Sequence, residues 1–396
     1  MARPRAKSPP RLTRDAERLI ALANGLNASG SLTEDHFWEA QMSVLVARLL
    51  EHGNDAPIDG ALDHLYQNNL GAYDTLIELV ENESESVAST EGEREWQSLL
   101  VAAPIVVWSK YAIPSGAISR EHAQTLQVHL QAHVLAAGAR VAMVPYLYSI
   151  DQLPRHFSEL RRLAAKLSEA AIANEKPKLE LSRLPETAHL LADTRFVIAC
   201  AAVPKGQALF RWQEDASGHA GRTGSLEQWI AQARPTISKI LPGCVFESLL
   251  PDAYYVNCRE SDRRVRPFGI RAAVAFLENA LHAKATEIKA VVAGFGEERV
   301  DEYRVGFFKG DDEAEIAHGV VWPLYGREDE NARPGPVDEV VAQLNECGIT
   351  EVKRLTGTFT PEYCEDCGAP LFANGDGEIV HAELPEEADT HTAHFH

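Results

Sequence analysis

No apolar run in this chain approaches the ~18 residues that a membrane-crossing helix requires. The first twenty residues lack an apolar signal core followed by a small-residue cleavage site. Cysteine is sparse: six in 396 residues do not make a disulfide scaffold. Basic charge is also short. Lys+Arg 38 against Asp+Glu 58 leaves a net −20, and a surface of that sign repels phosphate backbones. Together these absences predict a cytoplasmic protein that engages neither a membrane nor a broad face of nucleic acid.

Familiar catalytic patterns are missing too. There is no Gly-x-Ser-x-Gly elbow for acyl transfer. The Gly-rich stretch 217–224 has no Gly-Lys-Ser/Thr and fits neither the Walker A nor the dinucleotide pattern, so it reads as a surface loop. His122, His129 and His133 fall on one helix edge. No carboxylate joins them at ligand spacing, and a solvent edge is the simpler reading.

What remains is an architecture. The length suggests two or three domains, and a 45% hydrophobic fraction is ordinary for a globular chain. Residues 1–12 form a basic arm. Residues 13–80 read as helices, the first capped by Thr13 and the second by Thr33. Residues 81–96, rich in acids and serine, read as a solvated linker. Two segments then repeat one order of elements. The first βαβα unit spans 97–174, with continuous apolar strands at 99–107 and 140–148 and a Ser119-capped helix between them. The second spans 192–284. It has strands at 195–203, 208–212, 244–250 and 253–258, a capping box at 225–228, and a last helix opened by Pro267. The fold class is therefore α/β (α+β). A helical region precedes duplicated βαβα units, and an α+β segment at 285–360 leads into a Cys-x-x-Cys hairpin and an acidic, His-tipped tail at 361–396.

Two groups can carry chemistry. Cys364 and Cys367, with Gly368 after the second, form a knuckle able to share one tetrahedral metal, zinc foremost. No second Cys-x-x-Cys exists, so His391 and His394 are the best completing pair, with His381 or Cys347 as substitutes. Pro370 argues against thioredoxin-like redox use, because that motif places a helix there. The second group is Arg259, Arg263, Arg264 and Arg266, with Arg271 beyond, where a strand is expected to give way to a helix. Guanidinium forks beside helix amides suit a small anion, and salt bridges to the surplus acids are the alternative.

The stretches 11–19 and 363–372 carry a resemblance. They resemble an uncharacterised bacterial family filed as a domain of unknown function, which would cover nearly the whole chain. That resemblance implies a cytosolic protein and brings no activity or site residues. Two functions are expected from the residues themselves. One is a non-catalytic ligand-sensing or scaffold protein with an anion at the Arg-rich segment and a metal-pinned tail. The other is an enzyme acting on a small phosphorylated or carboxylated molecule in a cleft between the two α/β units.

Overall fold

The computed structural model describes residues 12–385 apart from 110, 189, 298, 311–312, 326–327 and 329–333. Four helices come first: α1 (Arg14–Asn27), α2 (Leu32–Glu51), α3 (Ala56–Asn68) and α4 (Leu70–Glu85). Thr13 caps α1, its hydroxyl accepting the Ala16 N–H at 3.1 Å. The cap of α2 is Ser31, which accepts from Glu34 at 3.3 Å, and not Thr33, which lies inside the helix. Leu19, Leu22, Met42, Leu49, Leu65 and Leu76 form the bundle's core.

The expected linker over 81–96 does not exist. Its first residues finish α4, and the rest forms the hairpin of β1 (Ser86–Glu91) and β2 (Arg94–Trp108), which pair antiparallel. The polarity of this stretch misleads because its acids fall on the last turns of α4 and around the exposed β1–β2 turn, at the outer end of an edge hairpin that needs few apolar residues.

The first sheet is built from both central segments. Its remaining elements are β3 (Gly116–Ala117), α5 (Arg120–His133), β4 (Arg140–Ser149), α6 (Phe157–Ala173), β5 (Ala192–Pro204), α7 (Arg211–Glu214), α8 (Arg222–Ile240), β6 (Val245–Ser248), β7 (Asp252–Ala253) and α9 (Tyr254–Ala280). The strand order is β1-β2-β5-β4-β3, with β6 and β7 also pairing β2, all antiparallel. So β5 of the second segment lies between β2 and β4 of the first, and β2 lies between β5 and β6. This is a split-βαβ interleaving. The two segments share a sheet, so the expected cleft between side-by-side units is not there.

Period-two alternation divides the central strands between two cores. Val101, Ala103, Ile105, Val197, Ala199 and Ala201 face α5 and α8. Leu100, Ala102, Phe196, Ile198 and Cys200 face α6 and the start of α9. Both faces are covered, so these strands read as unbroken apolar runs.

The second segment departs from expectation in three places. Residues 208–212 hold only an isolated bridge, Leu135 to Phe210, before α7. Helix α8 starts at Arg222, so the supposed cap Ser225 is a buried residue of its first turns. Residues 254–258 are helical, as is the whole Arg-rich stretch, and Pro267 lies inside the 27-residue α9. A proline there removes the hydrogen bond to the carbonyl four residues back. That carbonyl belongs to Arg263, and the Arg266 side-chain Nε reaches it at 3.4 Å.

The second sheet contains β8 (Ile288–Phe295), β9 (Glu302–Lys309), β10 (His318–Pro323) and β11 (Val352–Phe359), ordered β10-β9-β8-β11, with α10 (Pro336–Glu346) between β10 and β11. One face packs on α10 and on Ile270, Ala273 and Leu277 of α9. The other carries a small hairpin, β12 (Phe372–Ala373) with β13 (Ile379–Val380), through Phe372 on Val291 and Phe308 and through Ala373 on Phe295. Among the described residues no helix is long and apolar enough to cross a membrane.

Candidate metal centre

The hairpin carries the cysteine knuckle. Tyr363 bridges Pro370, the Cys364 N–H donates to Ala369 O at 2.8 Å, and the Gly368 N–H donates to Cys364 O at 2.9 Å. Gly368 takes φ +72°, a left-handed turn that β-carbon-bearing residues adopt at a cost. The chain then doubles back through β12 and β13 to present His381. The ligand atoms of Cys364, Cys367 and His381 lie within 4.8 Å of one another, with Cys367 Sγ 3.3 Å from His381 Nε2. These three residues could hold a metal ion.

Three features fit the group to that task. The backbone N–H groups of Cys367 and Asp366, then the Cys367 side chain, hold the Cys364 thiol below its ordinary range, toward the thiolate that binds metal. The other nitrogen of His381, Nδ1, has no hydrogen-bond partner among the described residues but lies 3.3 Å from a Glu383 oxygen, so a carboxylate able to steady a metal-bound imidazole is at hand. Two sulfurs and one imidazole form a soft donor set suited to zinc.

Beneath the knuckle sits Arg304 of β9, 1% exposed. Its Nη1 donates to the carbonyls of Glu362 at 2.8 Å and Leu371 at 2.5 Å, the two residues that flank the turn, and its Nε donates to Glu302 at 2.6 Å. Its guanidinium carbon stands 4.4 Å from the Phe295 ring centroid and 5.1 Å from that of Tyr363. Its Nη2 has no hydrogen-bond partner among the described residues. Sequence reasoning passed over this residue. The available signal was an arginine inside the apolar alternation Tyr303-Arg304-Val305.

Of the expected ligands, Cys364 and Cys367 come together, and His381 stands third. His391 and His394 lie outside the described residues. Cys347 is elsewhere, at the end of α10 beside Gln343, its thiol pushed up by burial.

The four arginines do not gather round an open site: Arg259 and Arg264 reach separate acids, and Arg263 and Arg266 share Glu328. They occupy successive turns of α9, not a loop at its start, and each meets a carboxylate. Arg259 takes Glu81 at 2.5 Å, Arg264 takes Glu260 at 2.9 Å, and Arg263 stands 3.9 Å from Glu328. Arg266, half sandwiched by Trp322 and Tyr325, holds Glu328 with Nη1 at 2.9 and 3.0 Å. Salt bridging to the surplus acids is what the geometry realises.

A family model described as "Protein of unknown function (DUF2863)" matches residues 4–395. The chain belongs to that family. Its match over nearly the whole length agrees with the resemblance carried by 11–19 and 363–372. No curated protein and no solved structure matches the chain. The family carries no stated activity, so function must be argued from this member's own residues.

Proposed function

We propose that this DUF2863 member is a non-catalytic binding or scaffold protein of the cytoplasm whose C-terminal knuckle is pinned by a structural zinc ion. Cys364, Cys367 and His381 are the ligands, and His391 or His394 of the tail closes the tetrahedron. The carrying observation is that three soft donors from two chain segments lie within 4.8 Å of one another. The cysteines are free thiols, as a reducing compartment leaves them.

The test is metal analysis of tag-free protein. About one equivalent of zinc, lost in Cys364→Ser and in His381→Ala, is expected, and less than about a tenth of an equivalent in the parent ends the proposal. Loss of zinc in His391→Ala or His394→Ala identifies the fourth ligand.

A second reading, an enzyme acting on a small phosphorylated or carboxylated molecule, draws on one observation. Asp262 of α9 is pushed up to about 6, chiefly by burial, beside Arg266 and Tyr325. It weighs less because Arg266 already holds Glu328 and Arg263 faces it.

A further inference from the structure

Two stretches set aside in the sequence meet in the fold. His133 ends α5. The Gly-rich loop at 217–224 contributes His219 from a single 3-10 turn, Gly218–Ala220, just before α8. With Arg211 of α7, Gln228 of α8 and Ala132 they line a cavity of about 350 Å³. Arg211 is fixed in place: its N–H donates to Val134 O at 3.0 Å and its guanidinium to the Ala132 carbonyl.

The lining is unusual for a chain of net charge −20, because its side chains are one guanidinium, two imidazoles and one amide, with no carboxylate. The nearby charged groups are committed elsewhere. Glu214 accepts the Ala137 N–H at 3.4 Å, Asp215 accepts from the Ser217 hydroxyl at 2.6 Å, and Arg222 holds Asp252 at 2.6 Å. Glu227, the neighbour of Gln228, points to solvent. On the α5 side the His129 and His133 rings stack with centroids 6.0 Å apart. One guanidinium and two ionisable imidazoles thus surround an open space that no protein anion fills. Burial chiefly, with His129 and Arg211 adding to it, holds the His133 imidazole below its ordinary range, and no carboxylate offsets them.

We propose that the cavity lined by His133, Arg211, His219 and Gln228 binds a small phosphate oxyanion, either free phosphate or the phosphate of a small phosphomonoester. The guanidinium supplies a permanent charge and forked donors. The imidazoles add charge and donors as they protonate, and the Gln228 amide adds a neutral donor. Binding and protonation then reinforce each other: phosphate raises the affinity of His133 for protons, and a proton on His133 raises the affinity for phosphate by the same factor.

The test is titration of inorganic phosphate into the full-length protein at constant ionic strength, read on the imidazole carbon-bound protons by NMR. Saturable binding is expected, with the His133 and His219 ring protons moving until the site is full and His133 titrating at higher pH when phosphate is bound. Phosphate itself ionises near neutral pH, so the pH arm uses sulfate, whose charge is fixed: its affinity should fall about tenfold between about pH 6 and about pH 8 as imidazole protons are lost. His219→Gln lies on an exposed turn and should weaken binding at about pH 6 about tenfold without unfolding the chain. His133→Gln should do the same, so that about tenfold more phosphate is needed to move the His219 ring protons. Acetate at equal concentration should bind more weakly. Tighter binding of glycerol phosphate than of inorganic phosphate assigns the site to a phosphomonoester, and equal binding assigns it to the free ion. Equal shifts with chloride, or an affinity unchanged in both glutamine variants, overturn the site.

Discussion

The Glu85 carboxylate at the end of α4 accepts the Tyr255 backbone N–H at 2.9 Å and so caps α9 from another helix. Burial pushes this carboxyl from 4.5 up to about 7, against the pull of the Tyr255 bond and of Arg259. A folded-state value raised above the unfolded one means that the native state binds the extra proton. The stability contributed by protonated Glu85 is therefore complete below about pH 4.5 and is lost as pH rises through about 7. Glu85→Gln keeps an acceptor for Tyr255 and removes the buried charge. It should raise unfolding stability at pH 8 by about 2–3 kcal/mol and flatten the profile between about pH 5 and about pH 7. Urea unfolding across that range checks it, and a variant less stable than the parent at pH 8 refutes it.

Arg304 is expected to act as the knuckle's anchor. Arg304→Met keeps the volume but leaves Glu302 and the carbonyls of Glu362 and Leu371 without their donor. Removing one partner of a buried charged pair costs about 3–5 kcal/mol. The sharper readout is metal exchange: with all three ligands intact, zinc should pass to a chelator at least tenfold faster than from the parent. Equal exchange rates would reduce Arg304 to a core residue.

A β-carbon at Gly319 of β10 would stand 2.1 Å from the Phe372 ring. This strand therefore yields its side chain so that the knuckle hairpin can lie on the sheet. Gly319→Ala should destabilise by about 1–3 kcal/mol through overpacking. Amide exchange through local opening should show that the loss falls mainly on 363–382.

Arg264 carries the opposite expectation. It is half exposed, and its partners Glu260 and Glu247 are themselves exposed. Arg264→Ala should change stability by less than about 0.5 kcal/mol and leave zinc content and phosphate binding as they were. A loss of either would restore the arginine segment of α9 as a ligand site.

Strands buried on both faces were legible in the sequence, because a run such as Leu100–Val107 of β2 can only be a covered strand or a buried helix, and its bounding residues decide between them. The Thr13 and Ser119 caps were legible for the same local reason. The Cys-x-x-Cys turn was legible because its chemistry is contiguous. His381 was harder to rank, because its approach to Cys367 depends on a hairpin that folds back. The course of α9 was not legible. Pro267 is a helix-breaking signal, and what overrides it is tertiary: the Arg266 side chain that serves the freed Arg263 carbonyl also grips Glu328 and Trp322. The polarity of 81–96 misled for a related reason, since whether an acidic stretch is solvent-borne chain or sheet edge is settled by what pairs beside it.

Because Tyr254 at one end of α9 is buried with the first sheet and Leu277 at the other with the second, neither half of the molecule owns this rod. Cutting the chain between the sheets would strip one of them of a wall and expose a greasy flank on the other. Heating should therefore melt both together in a single calorimetric transition, and a distortion introduced near one sheet has a stiff lever by which to reach the other.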